Sequence, residues 1–218
     1  MIVLKDVSFQ YEGCEEGVHG IDLTVCDGEC VVLTGPSGGG KTTLTRLLNG
    51  LAPSYYQGTK KGDLWINYTE IASLPAWKIG QEIGSVFQDP KSQFFSSELA
   101  GEVAFACENY GMAKQEIRKR TDEAIASMGL ETLRARPLDV LSSGEKQRVA
   151  VASVYALRPH TYVCDEPTAN LDSEGATRLA GILRKLKDEG NTLIIAEHRL
   201  AWLSGIADRF VYVSEGTI

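Results

Sequence analysis

The stretch CVVLTGPSGGGKTT at residues 30–43 restricts the fold more than any other part of the chain. CVVLT is a continuous apolar run of the kind found in strands buried on both faces. It ends at Gly35, passes through Pro36, Ser37, Gly38, Gly39 and Gly40, and reaches Lys41 and Thr42, where a helix opens. Strand, glycine loop and helix in this order satisfy the pattern G-x-x-x-x-G-K-[ST] in its required context. The glycines let backbone N–H groups crowd round phosphate oxygens with no Cβ in the way, and the helix N-terminus adds partial positive charge. Lys41 is then placed to reach terminal phosphates, and the Thr42 hydroxyl to ligate Mg²⁺.

The remaining pattern builds round that loop. IVLKDVSFQY and GIDLTV (20–25) alternate as strands, and DLWI and IGSVFQ are further short strands. The helix after the loop is expected to end at Asn49-Gly50, with Gly at the C′ position. In KQEIRKRTDEAIASMGL, Ile117, Thr121, Ala124, Ile125 and Met128 recur at helical spacing and Gly129 supplies the stop, so residues 96–140 read as a helical insert. TYVCDEP and TLIIAEH are strand runs on either side of a helix over LDSEGATRLAGILRKLKDEG, and RFVYV is a last strand. Alternation of strands and helices predicts a parallel sheet covered by helices.

Composition limits the functional class. A chain of 218 residues buries roughly 70–75% of its unfolded surface and needs no cross-links. A net charge of −7 argues against coating nucleic acid. Cys14, Cys26, Cys30, Cys107 and Cys164 are odd in number and contain no CxxC, so plain thiols in a reducing compartment are expected, with neither disulfides nor a zinc site. The N-terminus carries no signal-peptide pattern and no apolar run approaches a membrane span, so a soluble protein is expected, one able to dock on a membrane protein.

A phosphate loop needs a second carboxylate on the metal side. Asp165, at the end of a strand run, suits holding Mg²⁺ through water, and Glu166 beside it suits polarising an attacking water on the γ-phosphate side. Other residues stay ambiguous on chemistry alone. His198 follows a strand run and either contacts the γ-phosphate or serves structure. Gln88 either sits near a metal or water or lies in a surface turn. Tyr11 either stacks on a base or packs. LSSGEKQR at 141–148 resembles a second helix start built to hold an anion.

Taken together, these motifs resemble the nucleotide-binding domain of ATP-binding cassette (ABC) ATPases over essentially the whole chain. GPSGGGKT resembles the Walker A loop, TYVCDE the Walker B strand with its catalytic glutamate, and LSSGEKQR the LSGGQ-type signature. Gln88 falls at the Q-loop, TANLD (168–172) resembles the D-loop, His198 stands where the switch histidine is expected, and Tyr11 fits the adenine-stacking aromatic. The resemblance implies a P-loop NTPase fold, α/β, with a mostly parallel core sheet, a small antiparallel β-subdomain and an inserted helical subdomain. The core would comprise about 1–88 and 141–218, and the helical subdomain about 89–140.

For the site, it implies Glu166 and His198 in catalysis. It implies Tyr11, Gly35, Pro36, Ser37, Gly38, Gly39, Gly40, Lys41, Thr42, Thr43 and Gln88 on ATP, with Thr42, Gln88 and Asp165 on Mg²⁺. Ser142, Ser143, Gly144, Glu145 and Asp172 would face the ATP of a partner subunit in an ATP-sandwiched homo- or heterodimer. Ser143 stands where the family usually has glycine, and tolerance of its side chain is expected. VFQDPKSQFF, LSSGEKQRVAVAS and DEPTANLD are similar to energy-coupling-factor and cobalt-type importers, which take up vitamins or cobalt and nickel ions. That implies a transmembrane scaffold subunit docking near Gln88–Phe95, a peripheral place on the cytoplasmic face of the membrane, and no nucleic-acid partner.

Three alternatives remain from sequence: an ATPase of another ABC transporter class, a soluble ABC protein of translation or DNA repair, and a non-hydrolysing regulatory module. The Q-loop sequence disfavours the first. A single cassette without a coiled-coil insert disfavours the second. Intact Lys41, Asp165, Glu166 and His198 disfavour the third. The chain stops at VYVSEGTI, where many relatives continue, so a truncated chain or the first half of a tandem cassette is expected.

Overall fold

Two sheets share one helix between them. The computed structural model describes all 218 residues. Its strands are β1 (Ile2–Tyr11), β2 (Gly17–Val25), β3 (Cys30–Thr34), β4 (Gly58–Ile66), β5 (Thr69–Glu70), β6 (Ile83–Val86), β7 (Thr161–Asp165), β8 (Thr192–Ala196) and β9 (Arg209–Tyr212). Its helices are α1 (Lys41–Leu48), the short α2 (Leu51–Ser54), α3 (Ala76–Glu82), α4 (Leu99–Asn109), α5 (Lys114–Ser127), α6 (Ser143–Leu157) and α7 (Ser173–Asp188). Five strands form a wholly parallel sheet in the order β6-β7-β8-β3-β9, and four form an antiparallel sheet in the order β2-β1-β4-β5. This is the α/β arrangement the motifs imply, with a parallel core sheet and a small antiparallel one.

The period of two along β3 explains its unbroken apolar run. Val31 and Leu33 face a core shared with the antiparallel sheet and with Leu44, Leu47 and Leu48 of α1. Cys30 and Val32 face the opposite core, built with α4, α5, α6 and α7. Ile194 and Ile195 of β8 divide in the same way. Both faces are therefore covered, as a parallel sheet requires. Along α7, Ala176, Leu179, Leu183 and Leu186 are buried at helical spacing. Asp172 caps its start by accepting the Gly175 N–H at 2.7 Å. α5 buries Thr121, Ala124 and Ile125, and Gly129 ends it at φ 62°. α6 packs against α4 and α5 and also touches β6, so it joins the helical segment to the sheet.

The two sheets differ from the sequence expectation at β2, which begins at Gly17 rather than Gly20, and at β4 and β6. β4 begins at Gly58, well before DLWI, because its polar half is held by backbone pairing with β1 (Phe9 opposite Lys60, Tyr11 opposite Gly58) and needs no apolar pattern. The run IGSVFQ stops being strand at Val86, where the Phe87 N–H turns to the Gln93 side chain at 3.1 Å. That turn releases Gln88 from the sheet edge. No helix is long and apolar enough to cross a membrane. All five cysteines are free, with Cys30, Cys107 and Cys164 buried and Cys14 and Cys26 exposed.

Candidate active site

The carboxyl ends of the parallel strands all point to one edge, and the candidate residues leave from there. β3 runs into the phosphate loop, β6 leads to Gln88, β7 ends at Asp165, and β8 is followed directly by Glu197 and His198. Parallel order brings together residues that are far apart in sequence.

The phosphate loop is shaped partly by the chain behind it. Gly35 has φ 139°, and a Cβ there would collide with the carbonyl oxygen of Val213, just past β9. At Gly39 a Cβ would stand 2.6 Å from the same oxygen. Gly38, at φ 75°, faces open space. Two of the loop's glycines thus admit the neighbouring backbone, and Gly38 leaves the mouth clear. Pro36 and Ser37 cross the top of the turn, and the Gly39 N–H returns to the Pro36 carbonyl at 3.1 Å.

Lys41 is buried, and its Nζ donates to the Gly35 and Pro36 carbonyls at 3.0 and 2.8 Å. Burial lowers its pKa from the ordinary lysine value, against the opposing pull of Glu166, Asp165 and Glu197. A phosphate would supply a counter-anion to this buried ammonium. Asp165 accepts hydroxyl hydrogen bonds from Thr42 (3.2 Å) and Thr45 (3.3 Å), and burial raises its pKa above the usual carboxylate range. A buried carboxylate whose partners are two hydroxyls is a hard-oxygen set suited to Mg²⁺. Gln88, Thr42 and Asp165 line one cleft of about 720 Å³, together with Tyr56 and Arg46.

Glu166 sits at the centre of the remaining residues. Its φ of 43° turns it out of the strand direction, and its N–H bonds the Ala196 carbonyl at 2.8 Å. Its Oε2 accepts from Gln88 Nε2 at 3.0 Å, and its Oε1 lies 3.0 Å from His198 Nε2. Asn170 donates to the Gln88 carbonyl at 3.4 Å. Gln88, hydrogen-bonded to Glu166, and His198, 3.0 Å from it, therefore stand in one row.

Tyr11 lies on the α1 side of the loop. Its hydroxyl is 3.2 Å from Thr43 Oγ1 and accepts from Arg46 at 2.9 Å, while its ring meets Phe9 and Tyr56 edge-on. Arg46 also stacks on Tyr56, 3.8 Å from the ring centre. Tyr11 is thus anchored by packing and bonding, beside the loop rather than over it.

LSSGEKQR opens α6, beside a cleft that Asn170 also lines. Ser142 is the N-cap of a reciprocal capping box: the Glu145 N–H reaches Ser142 Oγ at 3.3 Å, and Glu145 Oε2 accepts the Ser142 N–H at 2.7 Å and its hydroxyl at 2.8 Å. These bonds hold the Glu145 pKa below the ordinary value. Ser143 and Gly144 are the first helical residues. They share a cleft of about 370 Å³ with Asp172, Arg148 and Arg178, so two helix N-termini open side by side. Ser142 therefore already has a partner for its proton, a pairing that the Ser-x-x-Glu spacing could have signalled.

Thr45 and Glu197 are not singled out by the sequence, and Thr168 and Asn170 are reached there only as part of TANLD. Thr45 stands one turn past Thr42 on α1, a spacing that could have signalled it. Glu197 is a charged residue directly after an entirely buried strand, which was the available signal.

Comparison with known proteins finds similarity along most of the chain. The ABC transporter family model matches residues 18–169. A protein of Treponema denticola named as an ABC transporter ATP-binding protein is 40% identical over all of this chain, which spans 45% of that relative. CbiO1 from Clostridium perfringens, part of the ABC transporter complex CbiONQ, superposes with a TM-score of 0.88 at 32% identity, covering 99% of this chain and 85% of CbiO1. The ATP-binding cassette MJ0796, in a dimeric post-hydrolysis state bound to ADP and Pi, gives a TM-score of 0.86 at 27% identity, covering 100% and 96% of the two chains.

Proposed function

The chain belongs to the ABC transporter family, and from that premise we propose that it binds and hydrolyses ATP to power a membrane importer. The observation that carries the proposal is the row Gln88–Glu166–His198 standing at the strand edge that also holds Lys41 and Asp165. A phosphate-binding module without hydrolysis has no use for a carboxylate held between an amide and an imidazole.

The residues have separate tasks in this reading. The N–H groups of Gly38 to Thr43 and the Lys41 ammonium hold the β- and γ-phosphates, and Tyr11 bounds the base side. Thr42, Asp165 and Gln88 would hold Mg²⁺, which neutralises phosphate charge when bound. Glu166 accepts the proton of the attacking water as its oxygen bonds to the γ-phosphorus and the bond to the ADP oxygen breaks. His198 holds the γ-phosphate side of the site and, through its contact with Glu166, the carboxylate's direction.

A second cassette, identical or not, completes the site. Ser142, Ser143, Gly144, Glu145 and Asp172 face the partner's ATP, so nucleotide binds the closed pair far better than the open one. The dimeric MJ0796 cassette supports this arrangement. The chain spans less than half the length of its relatives from Treponema denticola, so the composition of the whole assembly belongs to this proposal.

Residues 89–140 serve as the helical subdomain, with a transmembrane scaffold subunit seated near Gln88–Phe95 on the cytoplasmic face. Phe95 is exposed there and stacks on Phe105 with ring centres 4.7 Å apart. The likeness to CbiO1 and the motif resemblance support a micronutrient importer for vitamins or cobalt and nickel ions. The test is Mg²⁺-dependent phosphate release from ATP, together with co-purification of a membrane subunit. Tight ATP binding with no phosphate release in the assembled complex would overturn the proposal in favour of a regulatory module.

A further inference from the structure

Glu197 is a buried carboxylate with no task in the mechanism above. It is 2% exposed, and both of its oxygens are fully engaged. Oε1 accepts the backbone N–H groups of His198 and Arg199, each at 3.0 Å. Oε2 accepts the Thr168 hydroxyl at 2.8 Å, and Thr168 itself is 0% exposed. From the other side of His198, Arg199 donates to the Thr168 carbonyl and, at 3.2 Å, to the Leu171 carbonyl. Thr168 is therefore gripped twice, with its hydroxyl giving a proton to Glu197 and its carbonyl accepting one from Arg199.

The two gripped segments carry different parts of the site. One holds His198. The other runs from Glu166, two residues before Thr168, to Asp172 at the start of α7. The Glu166 N–H already bonds Ala196, so the carboxylate's backbone and the end of β8 are tied as well. With Glu197 bridging them, the His198 segment and the 166–172 segment cannot shift independently without leaving a buried charge unpaired, an expensive state.

We propose that Glu197 is a positioning residue that, through Thr168, sets the distance between His198 and Glu166 and couples it to the segment ending at Asp172. Movement of that segment against a partner cassette is thereby felt at the attacking-water side of this chain's own site. The proposal rests on the ATPase reading given above.

The test uses the full chain and the substitution Thr168→Val, which keeps the shape and removes the hydroxyl. Turnover is expressed per nucleotide-binding-competent molecule, so a loss of folded protein does not register. Turnover is expected to fall at least tenfold, equivalent to about 1.4 kcal/mol of transition-state stabilisation. The KM for ATP should change less than twofold, and Thr168→Ser should restore the rate. In ¹H–¹³C spectra the His198 Cε1–H cross-peak should move in Thr168→Val and return in Thr168→Ser, while those of His19 and His160 stay.

If Thr168→Val does not fold, Thr168→Ala serves instead, with the same tenfold loss and the same displaced His198 peak expected. Unchanged turnover with an unchanged His198 peak in the folded variant, Thr168→Val or Thr168→Ala, overturns the proposal. A wild-type chain without turnover whose His198 peak still responds as expected overturns the ATPase reading and upholds the brace.

Discussion

Replacing Ser142 by alanine separates two roles held by one hydroxyl. In the free chain that hydroxyl accepts the Glu145 N–H at 3.3 Å and donates to Glu145 Oε2 at 2.8 Å. Glu145 keeps its bond to the residue-142 N–H, at 2.7 Å, in the variant, so only the side-chain half of the capping box is lost. Loss of an N-cap side chain costs about 1 kcal/mol, which for a chain of this length lowers Tm by roughly 2–4 °C. Loss of a donor to the partner's γ-phosphate removes a charge-assisted bond of about 1.5–3 kcal/mol, or a ten- to hundredfold fall in ATP turnover. The control is Glu145→Gln. Glutamine preserves the capping box, costs about 0.3–1 kcal/mol through the lost charge at the helix N-terminus, and frees the hydroxyl from a carboxylate. Thermal unfolding and phosphate release should therefore diverge: Ser142→Ala loses turnover, while Glu145→Gln keeps or raises it. Normal turnover in Ser142→Ala, or equal loss in both variants, would refute the assignment of this hydroxyl to a partner's phosphate.

Three further outcomes follow from the same geometry. Lys41→Ala removes the ammonium from the loop and should weaken ATP binding at least a hundredfold in an equilibrium titration; binding within tenfold of wild type would contradict its role. Gly35→Ala forces a Cβ into the Val213 carbonyl at φ 139°, and strain plus overpacking should cost about 3 kcal/mol, or roughly 6–12 °C in Tm. Glu145 has a folded pKa below its unfolded value because the Ser142 N–H and hydroxyl favour its charged form. Its contribution to stability is therefore present above the ordinary glutamate pKa and lost as pH falls through the folded one. Chemical denaturation across the acid range should show that loss in wild type and its absence in Glu145→Gln.

What the sequence disclosed and what it withheld have physical causes. The phosphate loop was legible because its chemistry is local: β3, the glycines and Lys41 are contiguous. The helical faces of α5 and α7 were legible because burial repeats with the helical period. The polar half of β4 was not, because backbone pairing with β1 holds it without an apolar signature. Single residues gave Gln88 and His198 no more than even standing, since their meaning depends on parallel strand order. Only when β6, β7 and β8 lie side by side do residues 88, 166 and 198 form a row. The same holds for the Val213 carbonyl behind Gly35 and for Thr168 against Glu197, contacts that no spacing rule anticipates. Ser142 is legible as a helix start, and the Ser-x-x-Glu spacing carries its pairing with Glu145 as well.

The central claim is that this chain closes on ATP with a second cassette and reopens by hydrolysis through Glu166. Glu166→Gln keeps the shape of the row with Gln88 and His198 and removes the proton acceptor. Size-exclusion with light scattering on this variant, with Mg²⁺ and ATP and in parallel with a phosphate-release assay, tests the claim most directly. The account predicts retained ATP binding, almost no phosphate release and a dimer of cassettes that persists in ATP. Wild-type phosphate release from Glu166→Gln, with no persistent dimer, would contradict it.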